Sequence, residues 1–280
     1  MVFVLRKKTF IAAVCFTVFI ITAIFVFPVF GKEISLPVIM YHHISEKPSL
    51  LGTYVISPEE FENDIKYLKD SGYTSVSAKQ LLHYIKKGGA FPEKPVMITF
   101  DDGFESFYTY AMPILKKYGF SAVIAVVGSY TDKFTEANDH NVDYSYLTWE
   151  EIEEISKCGY VEIANHTYDL HTTALGRNGC SAVCGEDFEC YKEKMSKDIL
   201  RFQKMLERHT GSKTRIFAYP FGFWGEQSDK VLKDFKFDIA FTCSEKVNVI
   251  SSGFNMRCVG RFNRPHGIPT WKFFERIKQE

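Results

Sequence analysis

The sequence lacks a charge excess of either sign. Lys and Arg together number 34, as do Asp and Glu, so the formal net charge is zero. Nucleic-acid binders concentrate basic residues on one face, so composition gives no case for such a partner. Also missing are internal repeats, low-complexity tracts and any internal linker rich in Pro, Ser or Gly. That excludes solenoids and strings of tethered domains. Apolar residues are plentiful: 46% of the 280 residues are hydrophobic and 16% aromatic, with 26 Phe and 15 Tyr. Such a chain can bury a sizeable core in one large domain or two small ones. An aromatic ring is read first as core, because it carries so much buried area, and only second as a sugar-stacking surface.

The N-terminus speaks to compartment. Arg6, Lys7 and Lys8 precede an uncharged run, Phe10 to Phe30, whose only polar side chains are Thr17 and Thr22. Its 21 residues match a bilayer core. Basic residues before it keep residues 1–9 cytoplasmic and place everything after the run outside. A cleaved signal peptide has an apolar region of ~7–15 residues ending at a small-residue site. Here the run ends in Phe27-Pro28-Val29-Phe30 with no Ala-x-Ala. The expectation is an uncleaved signal-anchor over residues 10–30, a juxtamembrane linker over 31–36 and one domain over 37–280. Cys15 is read as an apolar side chain within the anchor. Six cysteines follow: Cys158, Cys180, Cys184, Cys190, Cys243 and Cys258. Outside the cytoplasm one or two disulfides are expected, with pairing left open. No His joins the 180–190 cluster, which argues against a zinc site there.

Along the domain, short apolar runs alternate with helical patterns. Strands are expected over 36–42, 95–100, 121–127, 161–164, 216–219, 239–243 and 256–262, with a short extended piece at 73–77. Helices are expected from Pro58, capped by Ser57 and Glu60, to a stop at Gly72, and over 78–87, 104–118, 148–157, 187–209 and 270–278. Strands separated by helices imply βαβ units and a mostly parallel sheet. The expected fold is one α/β domain, a deformed (β/α) barrel of about seven strands. Active sites of such barrels gather at the C-terminal strand ends. His42, Asp101, Asp102, His166 and Pro220 all fall at expected strand ends.

Two of those ends carry chemistry. Ile98 to Phe104 reads ITFDDGF, and Asn165 to His171 reads NHTYDLH. The pair Asp101-Asp102 closes a buried strand. Neighbouring side chains on an extended chain point to opposite sides, so both can reach one site only if the chain turns, as Gly103 permits. His166 and His171 are five apart, about 140° off one helical face, so they need a loop and not a helix. One carboxylate and two imidazoles can hold a metal with an open position for water, leaving a second carboxylate as base. That combination points to metal-assisted hydrolysis.

TFDD, HTYDLH and AYPFG (Ala218 to Gly222) together resemble the polysaccharide deacetylase family, carbohydrate esterase family 4, over nearly the whole domain. The opening segment Pro37-Val38-Ile39-Met40-Tyr41-His42-His43-Ile44 resembles its permuted branch, the poly-N-acetylglucosamine (intercellular adhesin) deacetylases. The resemblance implies removal of acetyl groups from N-acetylated sugars. It implies Asp102, His166 and His171 as metal ligands, Asp101 as general base and His42 as acid, with His43 a weaker candidate. It also implies a groove wall from Tyr219, Pro220 and Phe221, the Phe221 backbone N–H helping to hold an oxyanion. In the unpermuted branch a late histidine supplies the acid; here the only late one is His266. Family members often place an Arg two or three residues before the Pro of the third motif. Those positions here are Ala218 and Phe217, Arg215 lies too far back, and Arg261 is the other candidate, so the residue that orients Asp101 stays open. Trp149 is read as helix-start packing ahead of a substrate contact.

The expected function is a membrane-anchored, extracytoplasmic N-deacetylase using a divalent metal, zinc first by its His₂Asp donors. The expected partners are an N-acetylated glycan and the membrane, with no protein partner implied. Poly-β-1,6-N-acetylglucosamine is the first substrate candidate, peptidoglycan or chitooligosaccharide the second. A non-catalytic glycan-binding pseudoenzyme is the alternative of a different class; it should have lost a ligand or the base, and none is lost.

Overall fold

The computed structural model describes residues 33–251 and 254–279. The expected anchor, residues 10–30, lies outside the described residues; among those described, no helix is long and apolar enough to cross a membrane. Eight strands build the main sheet: β1 (Val38–Tyr41), β2 (Thr74–Ser75), β3 (Pro95–Phe100), β4 (Ala122–Val126), β5 (Val161–Asn165), β6 (Ile216–Ala218), β7 (Ile239–Phe241) and β8 (Phe262–Asn263). Seven run in the order β7-β6-β5-β4-β3-β1-β8, and β2 pairs with the start of β3. Every pairing is parallel. The sheet curls, and its two edges meet where Val259 bridges to Phe241, three residues before β8 begins. The expected deformed (β/α) barrel is consistent with this curled sheet.

Alternation along the strands sorts two apolar layers. Ile39, Tyr41, Ile98, Phe100, Ile124 and Val126 join one cluster with helix residues such as Phe61, Ile65, Ile152 and Phe202. Val38, Met97, Val123, Ala125, Ala164, Ile216 and Ala218 join another, made mostly of strand residues. The first face lies against helices and the second lines the inside of the curl. β3 and β4 are buried at every position, as strands covered on both faces must be.

The helices are α1 (Pro58–Asp70), α2 (Ala78–Lys87), α3 (Met112–Tyr118), α4 (Gly128–Ala137), α5 (Trp149–Lys157), α6 (Phe188–Thr210), α7 (Glu226–Asp234) and α8 (Thr270–Gln279). The capping signals act as expected. Ser57 accepts from the Glu60 N–H, and Glu60 accepts from the Ser57 N–H. Thr148 and Glu151 do the same for α5. Trp149 is buried, stacks on His209 and donates to Asp132, the packing role expected of it.

Several expectations need correction. The helix expected over 104–118 is a loop, a π-helical turn (Phe107–Ala111) and then α3. Pro113 has no N–H and its ring crowds the carbonyl four residues back, so the regular ladder cannot pass through it. α4 and α7 start without a Ser, Thr, Asp or Asn signal in the sequence: their N-cap positions are Val127 and Gly225. The strand expected over 256–262 shrinks to Phe262–Asn263 and the Val259 bridge. The six cysteines are all unpaired. Their surroundings differ: Cys180 sits in an apolar cluster with Tyr191 and Met195, Cys184 and Cys190 are exposed, and Cys243 packs against the Met40 sulfur at 3.8 Å.

A fully buried ion pair fastens the C-terminal segment to α1. Arg264 donates to Asp64 at 2.7 and 3.1 Å. Thr270 (2.7 Å) and the Tyr41 hydroxyl (3.1 Å) complete the carboxylate's partners. Removing one member of a buried pair strands the other. Asp64→Ala is expected to cost about 3–5 kcal/mol in urea unfolding; a loss under about 1 kcal/mol would contradict this account of the pair.

Candidate metal centre and active site

Because the strands are parallel, their C-terminal ends share one rim. The interior alternation then decides which rim residues face inward. On β3 it runs Met97, Thr99, Asp101; on β1, Val38, Met40, His42; into the loop after β5, Ala164, His166. Three of the expected site residues are thus the next inward position of their own strands.

Asp102 breaks that rhythm. Its φ is 72°, followed by Gly103 at 77°. A positive φ is uncommon outside Gly, and here it turns the second carboxylate back toward the site that the first already faces. Thr167 (φ 74°) follows His166 in the same conformation, and Phe221 (φ 57°) sits in the loop after β6.

Asp102 Oδ1 lies 3.4 Å from His166 Nε2 and 3.2 Å from His171 Nε2. Ligands ~2.0–2.2 Å from a tetrahedral metal stand roughly 3.4 Å from one another, so the spacing fits a shared cation. His166 Nδ1–H donates to the Ala218 carbonyl at 2.9 Å, so Nε2 is the ring nitrogen turned toward Asp102 and the one that would ligate a metal once it gives up its proton. Burial alone would raise the Asp102 carboxyl; hydrogen bonding to the two imidazoles outweighs it and holds the carboxyl well below its ordinary value. These three residues could hold a metal ion.

Asp101 is buried and receives a two-pronged guanidinium. Arg261 Nη1 donates to Oδ1 at 2.6 Å and Nη2 to Oδ2 at 2.7 Å. Burial would raise this carboxyl too, but the Arg261 charge overcomes it and the value is lowered. Arg261 is itself fully buried, and its Nε donates to the Thr242 carbonyl at 3.0 Å. The open question of the orienting residue is answered by Arg261. Arg215 is spent on Asp238 and the Lys236 carbonyl.

The histidines separate cleanly. His42 packs on Tyr54 at 4.7 Å between ring centres, and its Nδ1 is buried without a partner. Burial lowers its pKa, against the pull of Asp102 and Asp101. His43 points the other way, its Nδ1 2.9 Å from the Ser106 hydroxyl and its ring on Phe104. His266 is engaged by Glu60 at 2.8 Å, on the α1 cap. Of the expected groove wall, only Phe221 is exposed, at 42%, with its ring 4.6 Å from His171. Tyr219 and Pro220 are buried; Tyr219 follows the outward alternation of Phe217 and packs among the residues of α6 and α7.

One residue escaped sequence reasoning. Asp198 on α6 accepts from three consecutive backbone N–H groups, those of Tyr168 (2.7 Å), Asp169 (2.7 Å) and Leu170 (3.1 Å). That is the chain between His166 and His171. The available signal was a carboxylate on the apolar face of α6, between Met195 and Phe202. Burial pushes the carboxyl up to about 6 despite the three donors.

A family model described as "Polysaccharide deacetylase" matches residues 88–240. The chain belongs to the polysaccharide deacetylase family. It is 32% identical over 196 residues to a poly-beta-1,6-N-acetyl-D-glucosamine N-deacetylase of Staphylococcus aureus (strain MSSA476), covering 70% of this chain and 63% of that one. A protein of the same name from Escherichia coli (strain K12) is 28% identical over 222 residues, covering 73% of this chain and 33% of the relative. The chain thus spans under two thirds of the length of these curated relatives. Among solved structures, IcaB from Ammonifex degensii superposes with TM-score 0.71 at 28% identity, covering 89% of this chain and 99% of that one. A de-N-acetylase from Aggregatibacter actinomycetemcomitans gives TM-score 0.72 at 28% identity, covering 86% and 100%.

Asp198→Ala should leave the buried Tyr168 N–H without an acceptor, at about 1–3 kcal/mol, and the part-buried Asp169 and Leu170 N–H groups with only water to bond. The expected result is a lower unfolding midpoint together with weaker metal uptake, because the His171 loop loses its anchor. Unchanged stability and unchanged metal affinity would show that the loop holds itself.

Proposed function

We propose that this protein is a metal-dependent N-deacetylase of N-acetylglucosamine polymers, with poly-β-1,6-N-acetylglucosamine as its substrate. The carrying observation is a carboxylate, Asp101, fixed as an anion by Arg261 directly beside the Asp102–His166–His171 set. The linkage is proposed from the relatives' names and from the likeness to the de-N-acetylase and IcaB folds. Peptidoglycan and chitooligosaccharides are the alternative substrates. The apolar run 10–30 is proposed to anchor the enzyme with its domain outside the cytoplasm.

Asp102, His166 and His171 would hold the divalent ion, zinc by their donor chemistry. When bound, the metal would polarise the amide carbonyl and acidify the attacking water. Asp101 takes the water's proton; both its oxygens stay aimed because the guanidinium grips both. His42, inward from β1, delivers a proton to the departing nitrogen, without which the amine is a poor leaving group. The Phe221 backbone N–H, at the rim after β6, is the proposed donor to the developing oxyanion.

The direct test is acetate release from β-1,6 poly-N-acetylglucosamine against peptidoglycan and chitin oligomers. No release from any of the three would sink the proposal. Asp102→Ala, His166→Ala and His171→Ala should each abolish uptake of this metal, whereas Asp101→Asn should retain it and lose ~10²–10⁴-fold in rate. Full occupancy in two of the Ala variants would remove the ligand assignment. His42→Ala should cut turnover with metal affinity intact, and His266→Ala should be nearly silent; the reverse pattern would move the acid to His266.

A further inference from the structure

Away from the rim site, three segments bring together a second set of donors. Glu105 lies three residues beyond Asp102, His140 lies in the loop after α4, and Glu151 is the third residue of α5. His140 Nδ1 is 3.2 Å from Glu105 Oε1 and 3.8 Å from Glu151 Oε1. The three donor atoms all lie within 4.8 Å of one another. These spacings bracket the roughly 3.4 Å expected between neighbouring ligands of one small cation, and they resemble the first triad.

The independent observation is Glu105 itself. It is only 6% exposed, and its Oε2 is buried with no hydrogen-bond partner. A buried carboxylate oxygen with no donor is costly, and native structures rarely leave one so. Among the described residues no Lys or Arg pairs with Glu105 or Glu151. Burial raises the Glu105 carboxyl, and the charges of Glu151 and Asp139 add to it, against the single imidazole of His140. The far oxygen of Glu151, Oε2, is fixed by the Thr148 N–H (2.8 Å) and hydroxyl (3.0 Å), which turns Oε1 toward His140. Such outer bonds are what orient a ligand. His140 is half-exposed, giving an ion a way in and water a place on the open side.

We propose that Glu105, His140 and Glu151 form a second divalent-cation site, structural in role and distinct from the Asp102 triad. One imidazole and two carboxylates favour zinc-type ions over calcium or magnesium, which prefer oxygen alone. The ion would clamp the Asp102 loop to the 138–148 loop. Those loops are already stitched by Glu105 N–H to the Ser145 carbonyl (2.9 Å) and Leu147 N–H to the Gly103 carbonyl (2.8 Å). The competing account is a protonated His140 that serves as counter-ion to both carboxylates and binds no metal.

The test is zinc stoichiometry and thermal stability of the chelator-stripped full-chain protein, titrated with Zn²⁺. Two equivalents are expected in the wild type. His140→Ala and the near-isosteric Glu105→Gln should each lose one, or weaken it at least about tenfold, and lose the matching rise in melting temperature. His171→Ala should lose the other equivalent and keep this one. One equivalent in the wild type, retained by His140→Ala and lost by His171→Ala, would overturn this site and leave the proposed catalytic site standing. One equivalent lost by His140→Ala and kept by His171→Ala would uphold this site and remove the first. His140→Ala changes a half-exposed side chain and Glu105→Gln is near-isosteric, and circular dichroism checks that all three variants are folded.

Discussion

The pairing of Arg261 with Asp101 is the interaction on which the site depends. Both groups are buried inside the curl, where an isolated charge is costly and a matched pair is tolerated only with good geometry. The match is two-pronged, and the remaining guanidinium nitrogen is satisfied by the Thr242 carbonyl. Arg261 also sits at the seam of the sheet. Its N–H donates to the Ser244 carbonyl, and it lies between the Val259 bridge to β7 and the start of β8, which pairs with β1. The residue that keeps the candidate base ionised is therefore placed by the same contacts that bring the sheet's edges together.

Around this pair the rim stores backbone strain. Five non-glycine residues have positive φ among the described residues, and three of them, Asp102, Thr167 and Phe221, lie in the loops carrying the candidate ligands and groove. Each costs on the order of 1–3 kcal/mol and persists only where surroundings over-determine it. The surroundings are visible. Asn165 Oδ1 accepts from the Thr167 N–H at 2.7 Å, Asp198 holds the next three N–H groups, and Leu147 holds the Gly103 carbonyl. The regular sheet supplies direction, and the strained loops supply convergence.

Much of the frame was legible in the chain. Capping boxes at Ser57 and Thr148 mark helix starts because their hydrogen bonds are local. The apolar run 95–100 marks a central strand because such strands are buried on both faces. Even the choice between His42 and His43 follows from a period of two. The same rule, applied to Phe217-Ala218-Tyr219, would have placed Tyr219 outward and out of the groove.

What the sequence by itself determined is the alternation of βαβ units, the strand-end placement of Asp101, Asp102, His42 and His166, and the donor types available for a metal. These are set by short-range periodicity and side-chain chemistry. Only the tertiary structure decided that Arg261 grips Asp101 from 160 residues away, that Asp198 braces the His171 loop, and that Glu105 meets His140 and Glu151. Such pairings depend on how the sheet curls and which helix lies over which loop. Those outcomes follow from packing the whole apolar core, and no local pattern encodes them.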